Sequence, residues 1–336
     1  MHHLAFPAAM TMLLTLIPTG TVAAQSAAGS SATPDAADEP AASAAVTGPS
    51  VRLLDPGAEP TSLLRYALTV GDTDRLVITT RAHSGVSSSD DRPLWPEPVS
   101  QAMGNRLEAT AEQTVVGSAR DGVYDIETTY TDIEYVDVEL ARSDIDLELA
   151  DVGRELRALN GTMTQQTVDE QGRVLSTRTT SGPDWAASGI HLGIMPGLID
   201  VHSLQLSRLL PEEPVGVGAV WQVTSEMVEP VEGLPLTVVV TTTLERLQPD
   251  GSFELSSTGR LGAPPQRLPP GSDDPNLIIR TTGDLSARWT VDPTTFDPEG
   301  DVRVEVEQTT TSSARGVEER TIAVHMETRT ERVPES

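Results

Sequence analysis

Strict two-residue alternation restricts this chain more than any other feature. Leu236, Val238, Val240, Thr242 and Leu244 fall on one side of a run, and Thr237, Val239, Thr241, Thr243 and Glu245 fall on the other. Side chains of a β-strand point alternately to the two faces of a sheet, so such a run is a strand with one buried face. The turn residues Pro249-Asp250-Gly251 then lead into Phe253, Leu255, Ser257, Gly259 and Leu261 at the same period. Leu285, Ala287, Trp289 and Val291 continue it, followed by Val302, Val304 and Val306 and by Ile322, Val324 and Met326. The earlier part of the chain behaves alike. Leu64, Tyr66, Leu68 and Val70 read as a strand that turns at Gly71-Asp72 into Leu76, Ile78 and Thr80, a hairpin. Leu107, Ala109, Ala111, Gln113 and Val115 follow, then Asp121-Gly122 and Tyr124, Ile126, Thr128 and Tyr130.

One hairpin pattern occurs twice. TVDEQGRVLSTRTT runs from Thr167 to Thr180, and TVDPTTFDPEGDVRVEVEQTTT from Thr290 to Thr311. Each is a strand, an acidic turn with Gly and a returning strand, with Asp169, Gly172, Asp297 and Gly300 in the turns. The copies differ in length, which favours a duplicated scaffold over a shared binding site. The expected fold is therefore mainly β: two similar antiparallel meander halves, 51–182 and 210–333, forming a curved sheet or half-barrel within one domain at 51–333. One or two helices are expected with it. Ile145, Leu149, Val152, Leu156 and Leu159 lie on one helical stripe over 143–159, although Asp144-Ile-Asp-Leu-Glu-Leu also alternates as a strand would. A second helical stretch spans Leu198 to Leu209 and stops at Pro211, inside a connector that begins near Gly182.

The N-terminus reads as an export signal. Leu4 to Ile17 is mostly apolar, and the small residues Val22-Ala23-Ala24 precede Gln25, so cleavage is expected after Ala24, although His2 and His3 stand where Lys or Arg is usual. Residues 25–50 are rich in Ala, Ser, Gly, Pro, Thr and Asp and have too little apolar bulk to offset the entropy of ordering them, which marks a disordered linker. The chain has no Cys, hence no lipobox, disulfide or thiolate metal site. No later segment reads as a transmembrane span. The location expected is secreted or extracytoplasmic.

Acidic residues number 50 against 23 basic, a formal charge of −27, and every basic residue is Arg. That charge repels phosphate backbones, and no basic patch offsets it, so nucleic acid is excluded as a partner. Salt adaptation and a GC-rich genome both account for the absence of Lys.

Leu210-Pro-Glu-Glu-Pro-Val-Gly-Val-Gly-Ala-Val-Trp221 resembles the "LPxxPVxVGxxW" segment of exported bacterial proteins classed as a domain of unknown function. The resemblance would span most of 51–333 and implies no catalytic residue. More distantly, two curved β halves resemble the half-barrels of bacterial lipoprotein carriers, which hold acyl chains against the concave face. The absence of a lipobox departs from the lipid-anchored members.

Catalytic, cofactor and metal sites are not legible. His83, His191, His202 and His325 are far apart, without HExxH spacing, and no G-x-S-x-G elbow, P-loop or G-x-G-x-x-G run occurs. His83-Ser84 and His202-Ser203 are sequence neighbours, which does not supply the geometry of a Ser–His pair. Asp292, Asp297, Glu299 and Asp301 offer oxygens that Ca²⁺ would accept, but their spacing is not that of an EF-hand and a solvated turn explains them. Asp144, Asp146, Glu148 and Asp151 read as the wet face of the first helix. Trp221 and Trp289 sit on alternating strands as core residues, whereas Trp185 in the connector has no such explanation. Three functions fit: a non-catalytic envelope or secreted protein that binds a lipid or other apolar ligand, an interaction or scaffold module for another envelope protein, and a hydrolase with an unrecognised site.

Overall fold

The alternating segments form twelve strands in a computed structural model that describes residues 48–88, 103–139, 158–182, 203–228, 235–267, 278–312 and 318–334. In chain order they are β1 (Ser50–Asp55), β2 (Thr73–Ser88), β3 (Met103–Arg120), β4 (Val123–Glu139), β5 (Thr162–Asp169) and β6 (Val174–Ser181). There follow β7 (Val220–Val228), β8 (Pro235–Leu247), β9 (Phe253–Arg267), β10 (Ile278–Val291), β11 (Glu299–Ser312) and β12 (Glu318–Arg332). All pair antiparallel in a single sheet of order β1-β7-β8-β9-β10-β11-β12-β2-β3-β4-β5-β6. The sheet is curved and is not closed into a barrel: β1 and β6 are its edges. The second run of strands, β7 to β12, joins the first, β2 to β6, through β12 against β2, where Met326 faces Ala82 and Thr330 faces Ile78. β1, which precedes the first run in sequence, lies against β7 at the far edge of the second.

The period decides which face is buried. In β8, Leu236, Val238, Val240, Thr242 and Leu244 are buried, as are Phe253, Leu255 and Ser257 of β9 and Leu285, Ala287, Trp289 and Val291 of β10. The outward face is polar: Arg280, Asp284, Arg288, Asp301, Arg303 and Glu305 are all exposed. Irregularities in the β3–β4 pairing at Arg106/Leu107, Glu108/Thr110, Val115/Gly117 and Ser118/Arg120 add local twist to the first run. Among the described residues no helix is long and apolar enough to cross a membrane.

All the described hairpin turns lie at one end of the sheet: β3–β4 at Asp121-Gly122, β5–β6 after Asp169, β8–β9 after Leu247 and β10–β11 after Val291. This end is plugged by segments that are not strands. The expected hairpin at Leu64–Thr80 is one of the differences from the sequence reading. Leu64, Tyr66 and Leu68 are buried as their alternation requires, but the segment forms no strand with β2, and Val70 is 53% exposed. Its amides go elsewhere: Tyr66 N–H donates to Glu170 O at 2.8 Å and Ala67 N–H to Pro293 O at 2.7 Å. Adjacent residues thus hold the two copies of the repeated turn.

The helical expectation also changes. The stretch 143–159 lies outside the described residues except at its end, where Ala158 is helical and Leu159 buried. Of the second stretch, 198–202 lie outside the described residues, and Ser203–Arg208 is a six-residue 3-10 turn that ends at Arg208. It does not run on past Arg208 because Ser257 Oγ donates to the Ser207 carbonyl at 2.8 Å, and Pro211 has no amide hydrogen to donate. Leu209 and Leu210 continue it into the core, both essentially fully buried. The signal and linker expected over 1–50 lie outside the described residues up to 47.

The segment Leu210–Trp221 has an architectural role. Val215 exchanges both backbone hydrogen bonds with Ser62, at 2.8 and 2.9 Å, and Gly216 lies against the backbone of Ala58 so closely that a Cβ would collide with the Ala58 carbonyl. Arg65 closes the same junction, donating to the carbonyls of Leu64, Pro211 and Glu212 at 2.6 to 2.7 Å and to Glu170 Oε1 at 3.1 Å. Gly216→Ala is expected to lower stability by about 3 kcal/mol, since backbone rather than a flexible side chain must move. Urea unfolding of the variant against wild type measures this.

Candidate functional site

The plug brings four distant polar side chains together inside the sheet. Arg208 ends the 3-10 turn, Asp297 comes from the β10–β11 turn, Gln113 from β3 and Tyr66 from the segment before β2. Arg208 and Asp297 form an ion pair at 2.5 Å with side chains only 4% and 2% exposed. Arg208 Nη1 donates to Asp297 Oδ1, and Gln113 Nε2 donates to Oδ2, so each carboxylate oxygen has a donor. Taking two charges out of water is costly, and the pair is tolerable because these further bonds and its mutual attraction offset that cost. The guanidinium also lies over the Phe296 ring, 4.9 Å from its centroid, and Phe296 packs at 6.0 Å from the Tyr66 ring. Burial pushes the Tyr66 hydroxyl from 10.0 up to about 12; Arg208 opposes the shift and Asp297 adds to it.

A neutral network lies beside the ion pair. Trp289 Nε1 donates to Ser207 Oγ at 2.9 Å, Trp221 Nε1 donates to Leu209 O at 2.7 Å, and Thr242 Oγ1 meets Ser257 Oγ at 2.9 Å. Both tryptophans are core residues, as their alternation implies, and their indole N–H groups anchor the plug. The arrangement fixes one segment inside a sheet. The Ser207 hydroxyl accepts from an indole, which gives it no proton acceptor in that bond, so this contact does not activate a nucleophile.

The acidic quartet of the β10–β11 turn separates. Asp292 accepts from Thr294 N and Oγ1, Asp297 is inside with Arg208, Glu299 faces Arg332 at 3.5 Å and Asp301 faces Arg329 at 3.9 Å. Among the described residues no three His, Asp or Glu side chains are placed to hold a metal ion. Asp169 and Asp292 serve their turns in the same way, each side chain accepting the amide two residues on. His325 Nδ1 is 3.1 Å from Glu305 Oε1 and Nε2 is 3.4 Å from Glu327 Oε1, on the outer face. The β12–β2 register sets His83 opposite His325. His191, His202, Trp185, Asp144, Asp146, Glu148 and Asp151 lie outside the described residues.

No family model matches the chain, and no curated protein matches it. Among solved structures it is similar to an outer membrane channel from Pseudomonas putida F1, at 11% identity over 79% of this chain and 97% of that one, with a TM-score of 0.20. A likeness at that score carries no argument about fold or function.

Two outcomes follow from the site. Arg208→Met or Asp297→Asn alone is expected to cost about 3–5 kcal/mol, because each leaves the other partner buried without its counterpart. The double variant should lose less than the sum of the two in a urea-unfolding cycle. The second concerns pH. The folded state holds the Tyr66 proton up to about 12 and the unfolded chain only to 10.0, so the stabilisation is complete below pH 10 and is lost as pH rises toward 12. Wild type minus Tyr66→Phe should show this alkaline loss, of order 3 kcal/mol, in unfolding free energies measured from pH 9 to 12.

Proposed function

We propose that the protein is an exported, non-catalytic β module that works by contact with other polypeptides, with edge strand β6 as its docking element. The observation that carries the reading is the state of β6. Its residues beyond Val174 are all exposed, and its outer backbone edge is unpaired among the described residues. Such an edge offers a row of N–H and C=O groups to an added strand. The strand has no Pro, and its one charged side chain, Arg178, is turned back to Gln165 at 2.5 to 3.1 Å.

Three further points support this reading. Leu64, Tyr66, Leu68, Leu209 and Leu210 fill the plugged end of the concave face, leaving little room there for an acyl chain. The outward face carries Arg, Asp and Glu where a lipid-facing barrel carries apolar side chains. The formal charge of −27 opposes a nucleic-acid partner. The resemblance in Leu210–Trp221 to exported proteins belongs to the same proposal.

A second reading, an apolar ligand held toward the loop end, draws on the inner face of β3 and β5. Leu107, Ala109 and Ala111 lie there with Gln113, and Thr162, Thr164 and Gln166 with Val168, an amphipathic lining. A photo-crosslinking residue placed at Ser176 of β6 and, separately, at exposed Thr258 of β9 decides the docking reading. In the exporting cell, Ser176 should yield a discrete protein adduct and Thr258 none. Equal labelling from both positions, or none from either, would sink the proposal. Lipid retained through native mass spectrometry would favour the second reading.

A further inference from the structure

The chain has three Asn, at 105, 160 and 276, and Asn160 alone is followed by Gly. An Asn-Gly pair carries its own chemistry. Gly has no Cβ to shield its nitrogen, so that nitrogen can attack the Asn side-chain carbon, close a five-membered succinimide and expel ammonia. Water then opens the ring at one carbonyl or the other. One opening gives Asp; the other gives isoaspartate, in which the main chain runs through the former side chain and is longer by one methylene.

Asn160 and Gly161 stand at the entry to β5, and both reacting groups are tied to β4. Gly161 N–H donates to Tyr130 O at 2.7 Å, and Ile133 N–H donates to Asn160 Oδ1 at 2.8 Å. The nitrogen attacks only after losing the proton that the first bond holds, and ring closure moves the carboxamide toward it against the second bond. Crowding does not protect the pair: Asn160 is exposed, and a Cβ on Gly161 would meet no atom within 4 Å. Protection therefore rests on two hydrogen bonds and ends when the turn opens.

The fold has no slack for the isoaspartate product. Leu159 is buried and Thr162 fully so; Thr162 pairs with Tyr130 in the β4–β5 ladder, and its N–H donates to Leu159 O at 2.9 Å. An added methylene between two such anchored residues displaces β5 from its register. β6 pairs with β5 alone.

We propose that Asn160-Gly161 is a self-modification site, open only while this turn is unfolded, and that the isoaspartate formed there keeps β5 and β6 from pairing on β4. The site converts time spent unfolded into a lasting covalent change. The inference is independent of what β6 docks.

Full-length protein incubated at mildly alkaline pH, folded or in urea, tests it. Each sample is digested at acidic pH, and the peptide containing Asn160 is followed by mass spectrometry. That peptide should gain the mass of one deamidation at least about tenfold faster in urea, because the folded turn must first open. Equal rates in the two states overturn the protection. Hydrogen exchange after removal of urea reads the effect of the product. In peptides that run from Asn160 into β5, the isoaspartate form, separated by chromatography, should exchange its β5 amides at least about tenfold faster than the unmodified form of the same sample. Equal protection of β5 in the two forms overturns the effect on pairing.

Discussion

A curved sheet with one apolar face must cover that face, and this constraint governs everything else in the molecule. Strand alternation delivers Val240, Leu255, Trp289 and Val302 to the same side, where water would contact them unless something intervenes. The covering comes from the chain itself. The segment before β2 and the end of the β6–β7 connection enter the concavity as a plug, and their backbone, being unpaired in any ladder, needs other partners. It finds them in the repeated turns, through Glu170 and Pro293, and in the indoles and hydroxyls of the inner face. The two acidic turns, after Asp169 and after Val291, thus serve as a pair of docking points for one peptide segment.

Polar chemistry in the plug specifies position where apolar packing alone would not. A Leu-only segment could slide along an apolar sheet at little cost. Arg208 on Asp297, with Gln113 on the second carboxylate oxygen, admits one position, because any slip leaves charges buried and unpaired. Arg65 does the same at the rim, reading the Pro211 and Glu212 carbonyls and the Glu170 carboxylate, all more than 100 residues away in the chain.

The strands were legible in the sequence because their signal is local. Leu236 to Leu244 and Leu285 to Val291 need only their own period to declare a buried face, and the structure buries those residues. At Leu64 to Leu68 the same period reported burial correctly and pairing incorrectly: alternation says which side of an extended chain faces the core, not where its amides bond. The Asp297 cluster had no local signal. Its carboxylate sits among acidic turn residues that are wet, and its partners lie 89 and 184 residues away. Ser203–Arg208 reads in sequence as α-helix because Leu206 and Leu209 suit one, and only the bond from the sheet to the Ser207 carbonyl shows why the described turn is 3-10 and ends at Arg208.

The order of strands also sets when the molecule can be finished. β12, the last long strand of the chain, is the one that joins β11 to β2, so the two runs of strands have no direct ladder until the C-terminal residues arrive. Contacts across that seam span some of the longest sequence separations in the chain, as in the 248-residue gap between Thr80 and Thr328, and such closures are slow. The β12–β2 ladder is thus the seam whose loss would part the two runs of strands, each left as a smaller meander with a new open edge.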